Sequence, residues 1–486
     1  MGEDSGACCW QVHRYDFGRG FGELAAMLTV FAPDLESWAK ARGGRDGQRF
    51  LLGPNGWPDR RINACLGSAK WRILAERTAR DYTYSLVVWL NFLLTRGVNW
   101  WEAVEDDAEE FLFWRVTDPA NTGRVQTSSF SRDLAGLNKF YRWMRRRYGV
   151  ENPFSDFDAP RARRTEDVKW LDVGGYKRWR DLGIRGRDLS GRPDRWWRGR
   201  NEQRDVAFCD GLYGNGLRVS EWASVMLPEL SSYDGRRGYY TCQLADACAK
   251  GGYGHPYWTP RVAMKGLLSY VEGARAAAVR RAQAAGRYER LGRARMVLAT
   301  HGMEAVTLEG ANGGAERRQW NDIGPRTRLR LLRRTDLGLE PLALWLNEDG
   351  LPRDGRGWEH TFDAANKRIA MLGLEGFTCT AHMLRHSFAL KWYAIGKLVH
   401  APRIGHLTED ERQDFREQFG DTWHLVQTML GHLRVETTKS IYLEPFRTLD
   451  VEMLLAHAEG FPVETFMTDV FTGHPRVRTD PLAGVR

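Results

Sequence analysis

The stretch from Thr380 to Pro445 constrains this chain more than any other. It opens with T-A-H-M-L-R-H-S-F-A, passes through V-Q-T-M-L-G-H and ends in T-T-K-S-I-Y-L-E-P. Four polar side chains stand out: His382, Arg385, His432 and Tyr442. His382 and Arg385 are spaced so that a helix carries them on one face, a turn apart. Leu384, Phe388 and Trp392 recur on another face of that helix and anchor it in a core. His432 follows a glycine able to end the preceding helix, and Tyr442 comes shortly after. Two histidines, a guanidinium and a phenol gathered at one point suit attack on a phosphodiester. The guanidinium matches phosphate oxygens as a two-pronged donor, and the phenol can serve as a covalent nucleophile.

At 486 residues the chain exceeds one ordinary core, so two or three domains are expected. A hydrophobic content of 42% and a mean hydropathy of -0.51 describe a soluble globular protein. No apolar run approaches the ~20 residues of a membrane span. The start, M-G-E-D-S-G, lacks the apolar region of a secretory signal and the Ser or Thr of a myristoylation motif, so a cytoplasmic location is expected. Cys8, Cys9, Cys65, Cys209, Cys242, Cys248 and Cys379 are odd in number and form no C-x-x-C pair. Neither a disulfide framework nor a zinc site is expected from them. The net charge of +9 and a pI near 9.2 permit nucleic-acid binding. The distribution says more: Arg161 to Arg200 holds 13 Lys+Arg against 6 Asp+Glu, whereas residues 1–65 hold 8 of each sign. A solvated basic face remains the alternative for such a run.

Residues 1–65 mix Trp, Gly and Pro with short helical patches, such as that around Phe21 to Trp38, and read as an extension that packs on the rest. A neutral segment is poorly suited to gripping phosphates. From Thr78, the positions Tyr82, Leu86, Trp89, Leu90 and Leu93 predict an amphipathic helix ending near Gly97. A second helix carries Phe130, Leu134, Leu137, Tyr141 and Met144 and finishes in Arg145, Arg146 and Arg147. Trp101 to Trp114 reads as a shorter acidic helix between them, and Asn152-Pro153 stops the bundle. Pro160 to Arg164 is a basic linker, and a helix over Val168 to Trp179 opens the next domain.

L-Y-G-N-G-L-R-V-S-E, residues 212–221, places a tight turn at Gly214-Asn215-Gly216 and Arg218 at the start of a helix. Beyond Leu230 the pattern shifts to short β segments, Tyr239 to Cys242 and Tyr257 to Pro260, with the Gly-rich turn A-K-G-G-Y-G between them. That turn carries Lys250 in a chain with 60 Arg and only 11 Lys. A lysine can give up its proton, which arginine effectively cannot. Lys265, just beyond the hairpin, competes with it. An Ala-rich helix is predicted over Ser269 to Ala285, a basic run over Arg326 to Arg334, a strand and turn from Pro341, and a helix over Trp358 to Leu372.

These residues together resemble the tyrosine recombinases, the phage-integrase family of site-specific DNA strand-transfer enzymes. L-R-x-S-E, H-x-x-R, L-G-H and the following Tyr occur in the family's order, and the resemblance spans roughly residues 70–450. It implies a multidomain fold: an all-α, SAM-like core-binding helical domain and an α+β catalytic domain of the DNA-breaking-rejoining type, clamped around duplex DNA. The boundaries it implies are an extension at 1–65, a DNA-gripping domain at 66–158, a basic linker at 159–165, a catalytic domain at 166–448 and a C-terminal helix and tail at 449–486. Insertions fall at about 270–340 and 397–423, the second lengthening the stretch between Arg385 and His432 beyond the family pattern. His400, His406 and His424, in or beside it, match no catalytic position.

The resemblance assigns Tyr442 as nucleophile, Arg218 and Arg385 as phosphate clamps and Lys250 as general acid. It gives His382 proton transfer at the phenol and His432 a hydrogen bond to phosphate, and leaves Glu221 a structural role. A free phenol titrates near pH 10, so a neighbouring base or cation must help it react at neutral pH. Neither a metal nor a cofactor is implied. The implied partners are double-stranded DNA and three further copies in a homotetramer on DNA, with no membrane, and the resemblance allows an accessory directionality protein. The implied setting is a nucleoid, bacterial or phage-derived. Two alternatives stay open: a type IB topoisomerase-like nicking-closing enzyme, and a catalytically silent DNA-binding protein of the same fold.

Overall fold

The computed structural model describes residues 9–16, 44–155, 169–302, 304–310, 313–404 and 477–482. The patch around Phe21 to Trp38, the basic linker, His432, Tyr442, most of the 397–423 insertion and the predicted helix at 449–458 lie outside the described residues. The chain divides into two compact units, Met1–Thr165 and Glu166–Arg486.

In the first unit β1 (Gln11–Arg14) pairs antiparallel with β2 (Arg49–Leu52). There follow α1 (Arg60–Leu66), the single turn α2 (Ala69–Arg72), α3 (Glu76–Thr95), α4 (Glu105–Leu112) and α5 (Thr127–Tyr148). α3 and α5 are the two amphipathic helices of the sequence pattern. Leu86, Trp89, Leu90 and Leu93 of one, and Phe130, Leu137, Tyr141 and Met144 of the other, are all buried in a single core. The buried Trp89 indole donates to the Tyr141 hydroxyl at 2.9 Å, and that hydroxyl donates to the Trp100 carbonyl at 2.7 Å, so the aromatic centre leaves these polar atoms paired. α5 ends at Gly149, whose φ of 69° suits a residue without a Cβ. Leu51, Ile62, Cys65 and Leu66 join the same core, so this unit begins before residue 66. Strands of four residues give too short an alternation to be read as structure beforehand.

The second unit opens with β3 (Trp170–Leu171) and α6 (Val173–Gly183). The helix expected from Val168 therefore starts later: Asp172 accepts the Gly175 N–H at 2.6 Å and caps it. α7 (Glu202–Asn215) and the short α8 (Val219–Trp222) follow. β4 (Tyr239–Gln243) and β5 (Pro256–Pro260) form the predicted antiparallel hairpin. The predicted Ala-rich helix begins earlier, as α9 (Arg261–Tyr270), a wider π turn (Val271–Arg275) and α10 (Ala276–Ala284).

A five-stranded mixed sheet then appears that the sequence pattern did not announce. It comprises β6 (Arg295–His301), β7 (Ala305–Glu309), β8 (Ala315–Gln319), β9 (Leu331–Thr335) and β10 (Gly338–Pro341), ordered β10-β9-β6-β7-β8. Between β8 and β9 lie a 3-10 turn, Trp320–Asp322, and α11 (Pro325–Arg328). The part of the basic run that follows Arg328 is thus a strand, with Leu331 and Leu332 buried and Arg333 and Arg334 exposed. After Pro341 the expected strand reduces to isolated bridges at Ala343 and Leu346.

α12 (Gly357–Met371) and α13 (Ala381–Ile404) are the last helices described in this unit. Its main core gathers Phe208, Trp222, Trp345, Trp358 and Leu384. Truncating one such buried indole to alanine costs about 3–5 kcal/mol. Finally β11 (Val477–Arg478) pairs parallel with β3, bringing the tail back to the start of this unit.

Candidate active site

The site grows from the end of α7. Gly216 terminates that helix with φ 67°, so Gly214 and Asn215 belong to the helix and the expected turn is its left-handed cap. A Cβ at Gly216 would stand 2.2 Å from the Phe388 ring, which leaves glycine as the residue that fits. The cap delivers Arg218 to the N-terminus of α8. There the Glu221 carboxylate accepts the Arg218 backbone N–H at 2.8 Å and its guanidinium at 2.8 Å. The same carboxylate accepts the Lys250 backbone N–H at 3.1 Å and lies 3.9 Å from the Arg385 guanidinium. Glu221 is 1% exposed. Burial alone would raise its pKa, but the charges of Arg218 and Arg385 and the Arg218 N–H outweigh that and hold it below the usual carboxylate range.

Arg385 and His382 project from the first turns of α13. Arg385 is 2% exposed and donates to the Gly216 carbonyl at 2.6 Å, which ties α13 to the cap of α7. His382 keeps contact with solvent, yet partial desolvation and the charges of Arg385, Arg218 and Lys250 lower its pKa. A histidine so held is neutral at pH 7 and able to accept a proton. Of the six sequence-derived residues, Arg218, Arg385 and the Lys250 backbone therefore meet at Glu221, and His382 lies within the field of all three cations. His432 and Tyr442 lie outside the described residues. Lys265 sits exposed on α9, whereas Lys250 occupies the hairpin turn whose backbone Glu221 holds. His386, which the motif reading passed over, is buried one turn after His382 with the ring centroids 4.2 Å apart. The i, i+4 spacing of H-M-L-R-H was its signal.

In the helical unit, a shallow recess is lined by Lys70, Trp71, Lys139, Arg142, Trp143 and Arg146. Lys139, Arg142 and Arg146 share one face of α5, and the two arginines are exposed. Cations interleaved with indoles suit a phosphate backbone with bases or sugars beside it.

Residues 70–148 match the family model described as phage integrase, N-terminal SAM-like domain. The first unit carries an integrase SAM-like domain. Six of the eight residues that line the recess, Lys70 to Arg146, fall within the matched span, and Cys65 and Ser68 lie just before it. No curated protein matches the chain. Among solved structures the chain is similar to a post-cleavage complex of the XerH site-specific recombinase with palindromic difH, at 14% identity over 80% of this chain and 82% of that one, TM-score 0.44. It is also similar to a lambda integrase dimer bound to a COC′ core site, at 11% identity over 78% and 93%, TM-score 0.40. A third is the Tn1549 transposon integrase with circular intermediate DNA, at 15% identity over 77% and 90%, TM-score 0.38. Among the described residues no helix is long and apolar enough to cross a membrane.

Proposed function

We propose that this chain is a site-specific tyrosine recombinase that cuts and rejoins double-stranded DNA in the integration or excision of a mobile element. The observation that carries the reading is the convergence of Arg218, Arg385 and the Lys250 backbone on Glu221, with His382 in the field of the same three cations. Two guanidiniums fixed by one carboxylate are a preorganised clamp for the non-bridging oxygens of a phosphodiester. The SAM-like domain grips the duplex through Lys139, Arg142 and Arg146, and residues 166–448 carry the chemistry.

The Tyr442 oxygen bonds to phosphorus while the bond from phosphorus to the 5′-oxygen breaks. The phenolic proton passes to neutral His382, and Lys250 donates a proton to the departing 5′-oxygen. The products are a 3′-phosphotyrosine and a free 5′-hydroxyl. The reverse attack by a partner strand's 5′-hydroxyl restores the backbone, and His432 hydrogen-bonds the phosphate throughout. The phosphotyrosine keeps the bond energy, so the cycle consumes no nucleotide. Four copies on paired sites complete the exchange.

The test is a nicked suicide duplex built on the site that the full chain selects from random-sequence DNA. A covalent adduct resistant to SDS, linked through a 3′-phosphate, is expected. Tight, selective binding without an adduct would make the chain a DNA-binding protein instead. Relaxation of supercoiled plasmid without site preference would make it a nicking-closing enzyme.

A further inference from the structure

Among the contacts that fasten the β-sheet insertion to the rest of its unit is a buried ion pair. Arg328, at the end of α11, is 2% exposed, and its Nη1 donates to both oxygens of the equally buried Glu229 at 2.7 Å. Nη1 also reaches the Ser224 carbonyl at 3.2 Å, just beyond α8, and Nε donates to the Ile323 carbonyl at 2.7 Å. Trp320 lies under the guanidinium, 5.3 Å from ring centre to Cζ, and its indole N–H donates to Glu229 at 2.8 Å. Glu229 in turn accepts the Met226 N–H at 2.8 Å. Nearly every polar atom of this buried ion pair is thus satisfied, which is what keeps such a pair from destabilising the fold.

The same point touches the hairpin loop. The Ile323 carbonyl that accepts from Arg328 also accepts from the Cys248 thiol, at 3.7 Å. Asn321 donates to Asp246 at 3.4 Å, and Asp246 accepts the Gly254 N–H at 2.6 Å. The 3-10 turn Asp246–Cys248 therefore rests against the 3-10 turn Trp320–Asp322, and Lys250 follows two residues after Cys248. From Lys250 the loop runs through Gly251 and Gly252, with φ of 97° and 79°, which gives it freedom unless its flanks are held. One flank is the Lys250 N–H on Glu221, and the other is the insertion.

We propose that Arg328, with Glu229 and Trp320, is a positioning residue for Lys250: the insertion sheet braces the hairpin loop so that the lysine ammonium meets the leaving 5′-oxygen. This rests on the reading of Lys250 as general acid. Arg328 touches no substrate and acts through Ile323, Cys248 and the loop.

The test uses the full chain with Arg328→Lys, which keeps the charge but loses the Nε donor to Ile323, and with Trp320→Phe, which keeps an aromatic ring but loses the indole N–H to Glu229 together with the five-membered ring. Each is assayed in single turnover on the selected duplex with an ordinary phosphate and with a 5′-phosphorothiolate, whose sulfur leaves without a proton. Lys250→Ala is the control, expected to fall about a hundredfold on the ordinary phosphate and to recover on the phosphorothiolate. The positioning role predicts a fall of about tenfold for Arg328→Lys, and a smaller one for Trp320→Phe, with the same recovery. Equal slowing on both substrates, or no slowing of either variant, overturns the inference while leaving Lys250 as the acid. Failure of Lys250→Ala to recover overturns the reading of Lys250 itself, and the inference with it. If Arg328→Lys does not fold, the Trp320→Phe ratio between the two substrates decides.

Discussion

Glu221 and Arg218 are ion-paired at 2.8 Å across the first turn of α8, and the same carboxylate lies 3.9 Å from Arg385. Two guanidiniums held this close repel each other. A buried carboxylate between them offsets that repulsion and fixes their spacing.

Glu221→Gln keeps the shape and removes the charge. Its cleavage rate should fall by roughly tenfold or more, while DNA affinity holds or rises because the site gains net positive charge. Stability should fall by about 1–3 kcal/mol, the cost of weakening charge-assisted hydrogen bonds in a buried site. Single-turnover adduct formation, filter binding and chemical denaturation measure the three. Cleavage at the parental rate would show that the arginines hold their places without it.

Tyr442→Phe removes one oxygen. The variant should bind the selected duplex with unchanged affinity and form no SDS-resistant adduct. An adduct surviving in that variant would move the nucleophile to another tyrosine.

His382 gives the site a pH signature. Its pKa is lowered by desolvation first, then by Arg385, Arg218 and Lys250. If His382 accepts the phenolic proton, cleavage should stay on its plateau below pH 6.5, where an ordinary histidine is half protonated, and fall only at lower pH. The stability linkage has the same sign. The unfolded chain binds this proton before the folded one, so stability from this group is full above the unfolded pKa and is lost as pH falls through the lowered folded value. His382→Gln should abolish the acid limb of the rate profile. An acid limb that persists unchanged in that variant would assign it to another group.

Much of this architecture was legible because it is written locally. α3 and α5 carry their buried residues at helical spacing, and the β4–β5 hairpin is two alternating segments around glycines. The motif residues could be named and Glu221 read as structural, but its partners could not, since it joins Arg218, Lys250 and Arg385 from three separate stretches of chain. The insertion sheet stayed hidden for a different reason. Its strands are four to seven residues long, and exposed Arg317, Arg333 and Arg334 make β8 and β9 read as solvated charge. Arg328 looked like one more arginine in a basic run, although it is among the largest fully buried side chains. The β3–β11 pairing has two residues on each side and spans most of the second unit in sequence, so no local pattern could reveal it.

That pairing supplies the last prediction. β3 lies beneath α13, where the Ser387 hydroxyl accepts the Leu171 N–H at 2.8 Å, only two residues beyond Arg385. On its other side the Arg478 carbonyl accepts the Asp172 N–H at 3.2 Å, and Asp480 pairs with Arg178 through two hydrogen bonds of 2.9 Å. The tail can approach this closely because position 175 is glycine: a Cβ there would stand 2.3 Å from the Arg478 carbonyl oxygen. Gly175→Ala should therefore push β11 away while leaving α6 helical, since alanine is the better helix former. The loss of the strand and the exposure of Trp170 should cost about 1–3 kcal/mol. Trypsin should cut after Arg478 much faster in the variant than in the parent, at protein concentrations low enough to exclude exchange of tails between copies. Asp480→Asn, which weakens the ion pair without a clash, should show the same change to a smaller extent. Equal protection of all three proteins would mean that β11 does not rest on β3 in solution.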